Sequence, residues 1–222
     1  MSNNALHEIG ILLQGKISEW TSDIIREYQV NFPRAQILVS TWQNENVDDV
    51  PCQVVKSKLP SRTFPYSNTV NHQIIGTKTG LENMNCDVIL KCRTDQFIHN
   101  HNIFKIFTES CPKNKIMVPG IAEIEDYWVD DFCQIGKQEI LHDYWDNLPY
   151  YDGSYPIANE VYLTKNFILK IKHDDRPWKD IVENYFYIKD YDKDFQIEFE
   201  KRVLEIFYQK QWNKSNYMKP NK

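Results

Sequence analysis

The stretch DVILKCRTDQF, residues 87–97, ends an apolar run with a lysine, an arginine and an aspartate. Side chains alternate along a strand, so Ile89, Lys91, Arg93 and Asp95 share one face and Val88, Leu90, Cys92 and Thr94 the other. Charges on a buried strand are costly unless they are paired or bound. Two outcomes satisfy that cost: a local Arg93–Asp95 ion pair, or a ligand that meets all three charges. Lys91 and Arg93 suit a phosphate, the arginine by bidentate contact. A carboxylate suits a hard divalent cation such as Mg²⁺ or Mn²⁺. Two other apolar runs also end in polar groups: Gln14, Gly15 and Lys16 after the first, and Ser40, Thr41 and Trp42 at the end of the second. Gln14, Gly15 and Thr41 are the candidates for nucleotide contact, the glycine because it permits close backbone approach. A reaction that activates a hydroxyl needs a base as well. The later half of the chain offers Asp130, Asp131 and Glu160. Glu160 is favoured as the base and Asp131 for substrate contact, although Glu160 also suits the first turn of a helix for purely structural reasons.

The elements that must hold these residues follow from the hydrophobic pattern. IGILLQG (9–15), AQILVSTW (35–42), DVILKCRTD (87–95) and KIMVPG (115–120) read as strands, with CQVVKS (52–57) as a shorter fifth. Trp20, Ile24, Ile25, Tyr28 and Phe32 recur at helical spacing between the first two, with Thr21 or Ser22 as the cap and Pro33 as the stop. A second helix is predicted over residues 68–83, with Val70, Ile74, Ile75 and Leu81 inward. QEILHDYWDNL and ANEVYLTKNFILKI read as further helices, and residues 194–212 as a last one carrying Phe195, Phe199, Val203, Ile206 and Phe207 on one face. Strands alternating with helices specify an α/β fold with a mainly parallel sheet. Ligands of such sheets bind outside the carboxyl ends of the strands, near a switch in strand order. Those ends are where the polar residues collect.

Composition removes several classes. A formal net charge of -5 argues against nucleic acid as the main partner. With 7 glycines the chain holds no P-loop or dinucleotide fingerprint. Five scattered cysteines without a CxxC pair do not make a zinc cluster or a disulfide scaffold, and Cys92 reads as a small buried apolar residue. The start MSNNALHEIG lacks the pattern of a signal peptide, and no run of about 18 apolar residues marks a membrane span. A cytoplasmic location is the expectation. At 222 residues one domain is expected, with a first half to about 120, a second half over about 121–212 and a frayed tail at 213–222.

The ordered motifs ILLQGKI, FPRAQILVSTW, NHQIIGTKTGL, VILKCRTD and DDFCQIG resemble the WavE-type lipopolysaccharide synthesis family over roughly residues 9–165. The resemblance implies a GT-A-like fold: an α/β domain with a mainly parallel central sheet flanked by helices. It implies a glycosyltransferase that moves sugar from a nucleotide-sugar donor to a glycan or lipid-linked glycan acceptor in surface polysaccharide assembly. In GT-A enzymes a short acidic motif at a strand end holds a divalent cation against the donor diphosphate. By resemblance RTD takes that place, with Asp95 as the retained ligand of Mn²⁺ or Mg²⁺. This sequence departs from the pattern twice: Arg93 replaces the first aspartate, and His72 stands where an arginine is expected in the preceding helix. His173, in KHDDRPW, stands late in the chain, where some GT-A enzymes place a metal-binding histidine. Asp190-Tyr191-Asp192 is a literal DxD, but its position beyond the α/β units reads as a solvated turn, and His99-Asn100-His101 reads as a surface loop. Two alternatives remain: a sugar nucleotidyltransferase, which would carry a Gly- and Arg-rich loop that LLQGKISEW lacks, and a non-catalytic nucleotide- or glycan-binding protein.

Overall fold

A computed structural model describes residues 7–199. The first half alternates as predicted: β1 (His7–Gln14), α1 (Thr21–Asn31), β2 (Gln36–Trp42), β3 (Gln53–Ser57), α2 (Val70–Glu82) and β4 (Cys86–Arg93). Then follow β5 (Gln96–Ile98), α3 (Ile103–Ser110), β6 (Ile116–Val118), β7 (Gln134–Lys137), α4 (Gln138–Trp145) and α5 (Asn159–Asn166). A π-helical turn (Phe167–Ile171) extends α5 before α6 (Trp178–Tyr185) and β8 (Phe186–Ile188). A second π turn (Tyr191–Phe195) leads to β9 (Ile197–Phe199).

Seven strands form one sheet in the order β3-β2-β1-β4-β7-β6-β8, and β5 pairs with β9 in a separate ribbon. β1, β2, β3 and β4 are parallel, while β7 runs antiparallel to both β4 and β6. The protein is thus an α/β domain with a GT-A-like, mostly parallel central sheet. The chain leaves β1 toward β2 and β3, then crosses back to place β4 on the other side of β1. That reversal is a topological switch point, and it opens a crevice at the carboxyl ends of β1 and β4.

The alternation predicted for β4 holds. Val88, Leu90 and Cys92 pack on one face of the sheet with Ile24, Ile25 and Tyr28 of α1 and Phe104 and Phe107 of α3. Ile89 joins the opposite core with Val70 and Ile74 of α2, Trp145 of α4 and Leu163 of α5. Apolar burial on both faces is what a parallel sheet requires.

Some expectations are corrected. Neither Thr21 nor Ser22 caps α1: Trp20 occupies the cap position without a side-chain hydrogen bond. Thr21 instead donates from Oγ1 to the Thr94 carbonyl at 2.9 Å, fastening the helix to the end of β4. β4 stops at Arg93, and a two-residue turn, Thr94–Asp95, leads into β5. The helix predicted over 194–212 is replaced in its described part by the second π turn and β9, and residues 200–212 lie outside the described residues. The helices α3 and α6 were not predicted although Ile103, Phe104 and Phe107, and Trp178, Ile181, Val182 and Tyr185, recur at helical spacing; β5 and β8, at three residues each, are too short to show a period.

Candidate active site

Lys91 stands at the centre of the crevice wall, paired in register with Leu12 of β1 and Gln134 of β7. It is only 1% exposed. Its Nζ donates to the Asp131 carbonyl and lies 4.9 Å from the centre of the Trp145 ring. Trp145 is itself fixed by a 2.9 Å bond from its Nε1 to Gln134 Oε1. Burial lowers the Lys91 pKa, and the Asp131 charge works against that.

Two residues on, Arg93 closes a bidentate pair with Asp95, Nε to Oδ1 at 2.7 Å and an Nη to Oδ2 at 2.6 Å. The guanidinium also lies over the Phe199 ring, 5.4 Å from its centre. Of the two outcomes the sequence left open, the local ion pair is the one formed. Gly15 follows β1 at φ +144°, and a Cβ there would come within 2.8 Å of Thr94 Oγ1. Thr94 Oγ1 in turn donates to the Lys16 carbonyl. Glycine at 15 therefore lets the turns after β1 and β4 touch.

These turns, with the segment leading into α2, enclose a cleft of about 780 Å³. Gln14, Gly15, His72, Arg93, Asp95 and Asp131 all line it. Thr41 does not: it is fully buried, and its neighbour Trp42 lines the cleft instead. His72 meets Trp42 edge-on, ring centres 5.5 Å apart, and its Nδ1 has no hydrogen-bond partner. Burial, then the charges of Lys16 and Arg62, lower its pKa, so the imidazole is neutral at pH 7 and can accept a hydrogen bond.

The cleft departs in charge from the protein around it. Lys16, Arg62, Lys91 and Arg93 face two carboxylates, Asp95 and Asp131, in a chain of net charge -5. Arg62 was not singled out from the sequence, because SRTFPYSN has no periodicity. Its signal would have been its place just beyond the carboxyl end of β3.

Asp131 lines the cleft, and Asp130 and Glu160 lie close enough behind it to feel its charge. Asp130 and Asp131 are buried, and neither Asp130 oxygen nor Asp131 Oδ2 has a hydrogen-bond partner. Burial and then the charges of Asp131 and Glu160 push the Asp130 pKa well up. Burial also raises Asp131, against the pull of Lys91, a Gln73 hydrogen bond and Arg93. Glu160, in the first turn of α5, is pushed up to about 7 by burial and then by Asp131. A carboxyl raised to about 7 is suited to proton transfer near neutral pH.

An ion at Asp95 does not fit these residues, because both Asp95 oxygens are engaged by Arg93. His173 is exposed after the first π turn and is not among the cleft-lining residues. Among the described residues no group of three His, Cys, Asp or Glu side chains is placed to hold a metal. The late DxD is a turn, its Asp190 Oδ1 accepting from the Asp192 and Lys193 amides at 2.9 and 2.8 Å. His99 bridges Glu27 and Glu198 at 2.7 and 3.0 Å.

The strand-end half of this constellation lies in a segment that matches a family model. Residues 12–119 match the family model described as WavE lipopolysaccharide synthesis. The match runs from β1 through β6, so it contains Gln14, Gly15, His72, Arg93 and Asp95 and ends before Asp131 and Glu160. No curated protein matches the sequence. Among solved structures, 4-diphosphocytidyl-2C-methyl-D-erythritol synthase from Anaerococcus prevotii aligns at TM-score 0.51 and 8% identity, covering 94% of this chain and 99% of that one. The glycosyltransferase GlyE of Streptococcus pneumoniae aligns at 0.50 and 7%, covering 94% of this chain and 50% of that one. Bifunctional IspDF of Campylobacter jejuni aligns at 0.50 and 9%, covering 98% and 56%. These likenesses concern the fold. Among the described residues no helix is long and apolar enough to cross a membrane.

Proposed function

We propose that the protein is a glycosyltransferase of the EC 2.4 class, moving a sugar from a nucleotide-sugar donor to a glycan or lipid-linked glycan in lipopolysaccharide or other surface polysaccharide assembly. The observation that carries this reading is the convergence, in one cleft at the switch point, of four cations with Asp131, whose charge helps raise the neighbouring Glu160 to about 7. The donor diphosphate lies across the turns after β1 and β4. Gln14 and the Gly15 backbone meet the nucleotide, and His72 offers an acceptor from α2. As the sugar–phosphate bond breaks, negative charge grows on the leaving diphosphate, and Arg93, Lys16 and Arg62 stabilise it. Glu160 takes the proton of the attacking acceptor hydroxyl, while Asp131 holds Glu160 basic and contacts the acceptor or donor sugar.

The manganese or magnesium implied by the family resemblance would have to displace Arg93 from Asp95. The proposed route uses the fixed cations instead. A nucleotidyltransferase could share the cleft, but the turn after β1 offers only Gly15 and Lys16 where a Gly- and Arg-rich loop is expected. The protein works in the cytoplasm, at or near the membrane face where lipid-linked glycans are extended.

The test is a thermal-shift screen of UDP-, GDP-, CDP- and dTDP-sugars with and without Mn²⁺, followed by transfer assays in EDTA. At least one donor should stabilise the protein in EDTA. Arg93→Met should weaken that donor by roughly tenfold or more, the scale of a lost charge-assisted pair. Donor binding seen only with Mn²⁺ would overturn the metal-free route. No binding of any donor would overturn the transferase reading.

A further inference from the structure

Phe64, Tyr66, Tyr150 and Tyr155 are 86%, 45%, 62% and 47% exposed and are the aromatic members of the large exposed apolar side chains. Single exposed apolar residues are ordinary, but four exposed aromatics on two loops bonded to each other are not. They come from two loops that sequence separates by more than eighty residues and that the fold bonds back to back. The Tyr66 amide donates to the Gly153 carbonyl at 3.1 Å. Asn71 and Tyr151 exchange two bonds, Nδ2 to the Tyr151 carbonyl at 2.9 Å and the Tyr151 amide to Oδ1 at 2.8 Å. Asn159 Nδ2 donates to Thr69 Oγ1 at 2.8 Å. Gly153 has φ +83°, and a Cβ there would lie 2.7 Å from the Phe64 amide nitrogen and 2.8 Å from the Tyr66 carbonyl oxygen. A hydroxyl–carbonyl bond from Tyr151 to Tyr155 stiffens the second loop.

The rim adjoins the cleft through its first loop. The first loop supplies Arg62, Ser67, Asn68 and Thr69 to the cleft wall. The second loop runs directly into α5, whose second residue is Glu160.

We infer that this rim is a saccharide subsite, holding the acceptor glycan by stacking pyranose rings on Phe64, Tyr66, Tyr150 and Tyr155 beside Glu160. The inference rests on the transferase reading of the cleft and deepens it by naming the surface and the residues that would hold the acceptor. Pyranose rings present C–H faces that stack on aromatic rings, while their edges carry hydroxyls. Three of the four residues are tyrosines, whose hydroxyls can bond those edges as the ring covers the face. A glycan lying on the rim brings one hydroxyl to the start of α5, where the raised carboxyl can accept its proton. A membrane surface is the less suited occupant: the protein is acidic overall, with net charge -5, which opposes approach to anionic lipid.

The test uses saturation-transfer NMR on the intact chain with cellotetraose, maltotetraose and α-1,6-mannotetraose, and sedimentation with phosphatidylglycerol vesicles. The expected result is saturation of ring C–H protons of at least one tetrasaccharide. Tyr66→Ala and Tyr155→Ala should each weaken that binding roughly two- to tenfold, with a larger loss in the double variant. Phe64→Ala and Tyr150→Ala, the two most exposed positions, repeat the measurement where folding is least at risk. No saturation of any of the three sugars, or saturation unchanged in the variants, overturns the inference. So does rim-dependent sedimentation with vesicles in place of sugar binding. The donor screen on the unaltered protein separates the two readings: donor binding without a saccharide signal refutes the rim alone, and its absence refutes the transferase reading beneath it.

Discussion

Glu160 offers the most discriminating prediction. Its carboxyl is pushed from 4.5 to about 7 by burial and then by the negative charge of Asp131. A base works only when deprotonated, and kcat/KM follows the ionisation of the free enzyme. With a pKa near 7, about one-tenth of Glu160 is ionised at pH 6 and about nine-tenths at pH 8, so kcat/KM should rise nearly tenfold across that interval. A glutamate at its ordinary value would be almost fully ionised at both, and the profile would be flat. The assay is radiolabelled sugar transfer at subsaturating donor and acceptor, in constant-ionic-strength buffers from pH 5.5 to 8.5. Glu160→Gln keeps the shape and removes the base, and should lower transfer by roughly a hundredfold or more. Asp131→Asn removes the neighbouring charge and should move the acid limb to lower pH. A flat profile between pH 6 and 8, or a Glu160→Gln variant that transfers normally, would refute the assignment. If instead Asp131→Asn abolishes transfer while Glu160→Gln does not, the two roles are reversed.

Two further outcomes follow from the elements around the cleft. Gly15→Ala forces a Cβ into a φ of +144° and to within 2.8 Å of Thr94 Oγ1, so urea unfolding should show a loss of about 1–3 kcal/mol, and a loss of only a few tenths would mean the two turns are not in contact. His99 is opposed by burial, but its bonds to Glu198 and Glu27 raise its pKa above the ordinary 6.5. Its contribution to stability is therefore full below the unfolded value and fades as pH rises through the folded one; NMR titration should find the His99 pKa brought down by Glu198→Gln and by Glu27→Gln, and an unmoved value would mean the bridge does not form in solution.

The first half of the fold was legible because its elements satisfy their own local rules. β1, β2 and β4 are apolar on both faces, as strands between two helical layers must be, and α1 and α2 show helical spacing with interruptions at their ends. The later half is decided by partners far away in sequence. β7 is four residues, QIGK, and becomes a strand because β4 and β6 flank it. β9 takes extended form beside β5, although the spacing of Phe195 and Phe199 suits a helix equally well. Short strands recruited by pairing have no periodicity of their own to read.

The site divides along the same line. Lys91, Arg93 and Asp95 could be picked out because charge on a buried strand is conspicuous, and Gln14 and Gly15 because they sit at a strand end. Arg62 and the aromatic rim come from irregular loops, where only the sheet's geometry says which side of the molecule they face. The Arg93–Asp95 pair shows why the pattern itself was ambiguous. Spacing of two puts both side chains on one face whether they bind each other or a ligand. The choice is made by the chain ending β4 at Arg93 and turning through Thr94, which folds the Asp95 carboxylate back onto the guanidinium. Where the family resemblance implies an aspartate, Arg93 stands instead and occupies the Asp95 carboxylate. An arginine at that position disfavours a cation on Asp95 and puts its own charge at the strand end, which is the charge the proposed leaving diphosphate would meet.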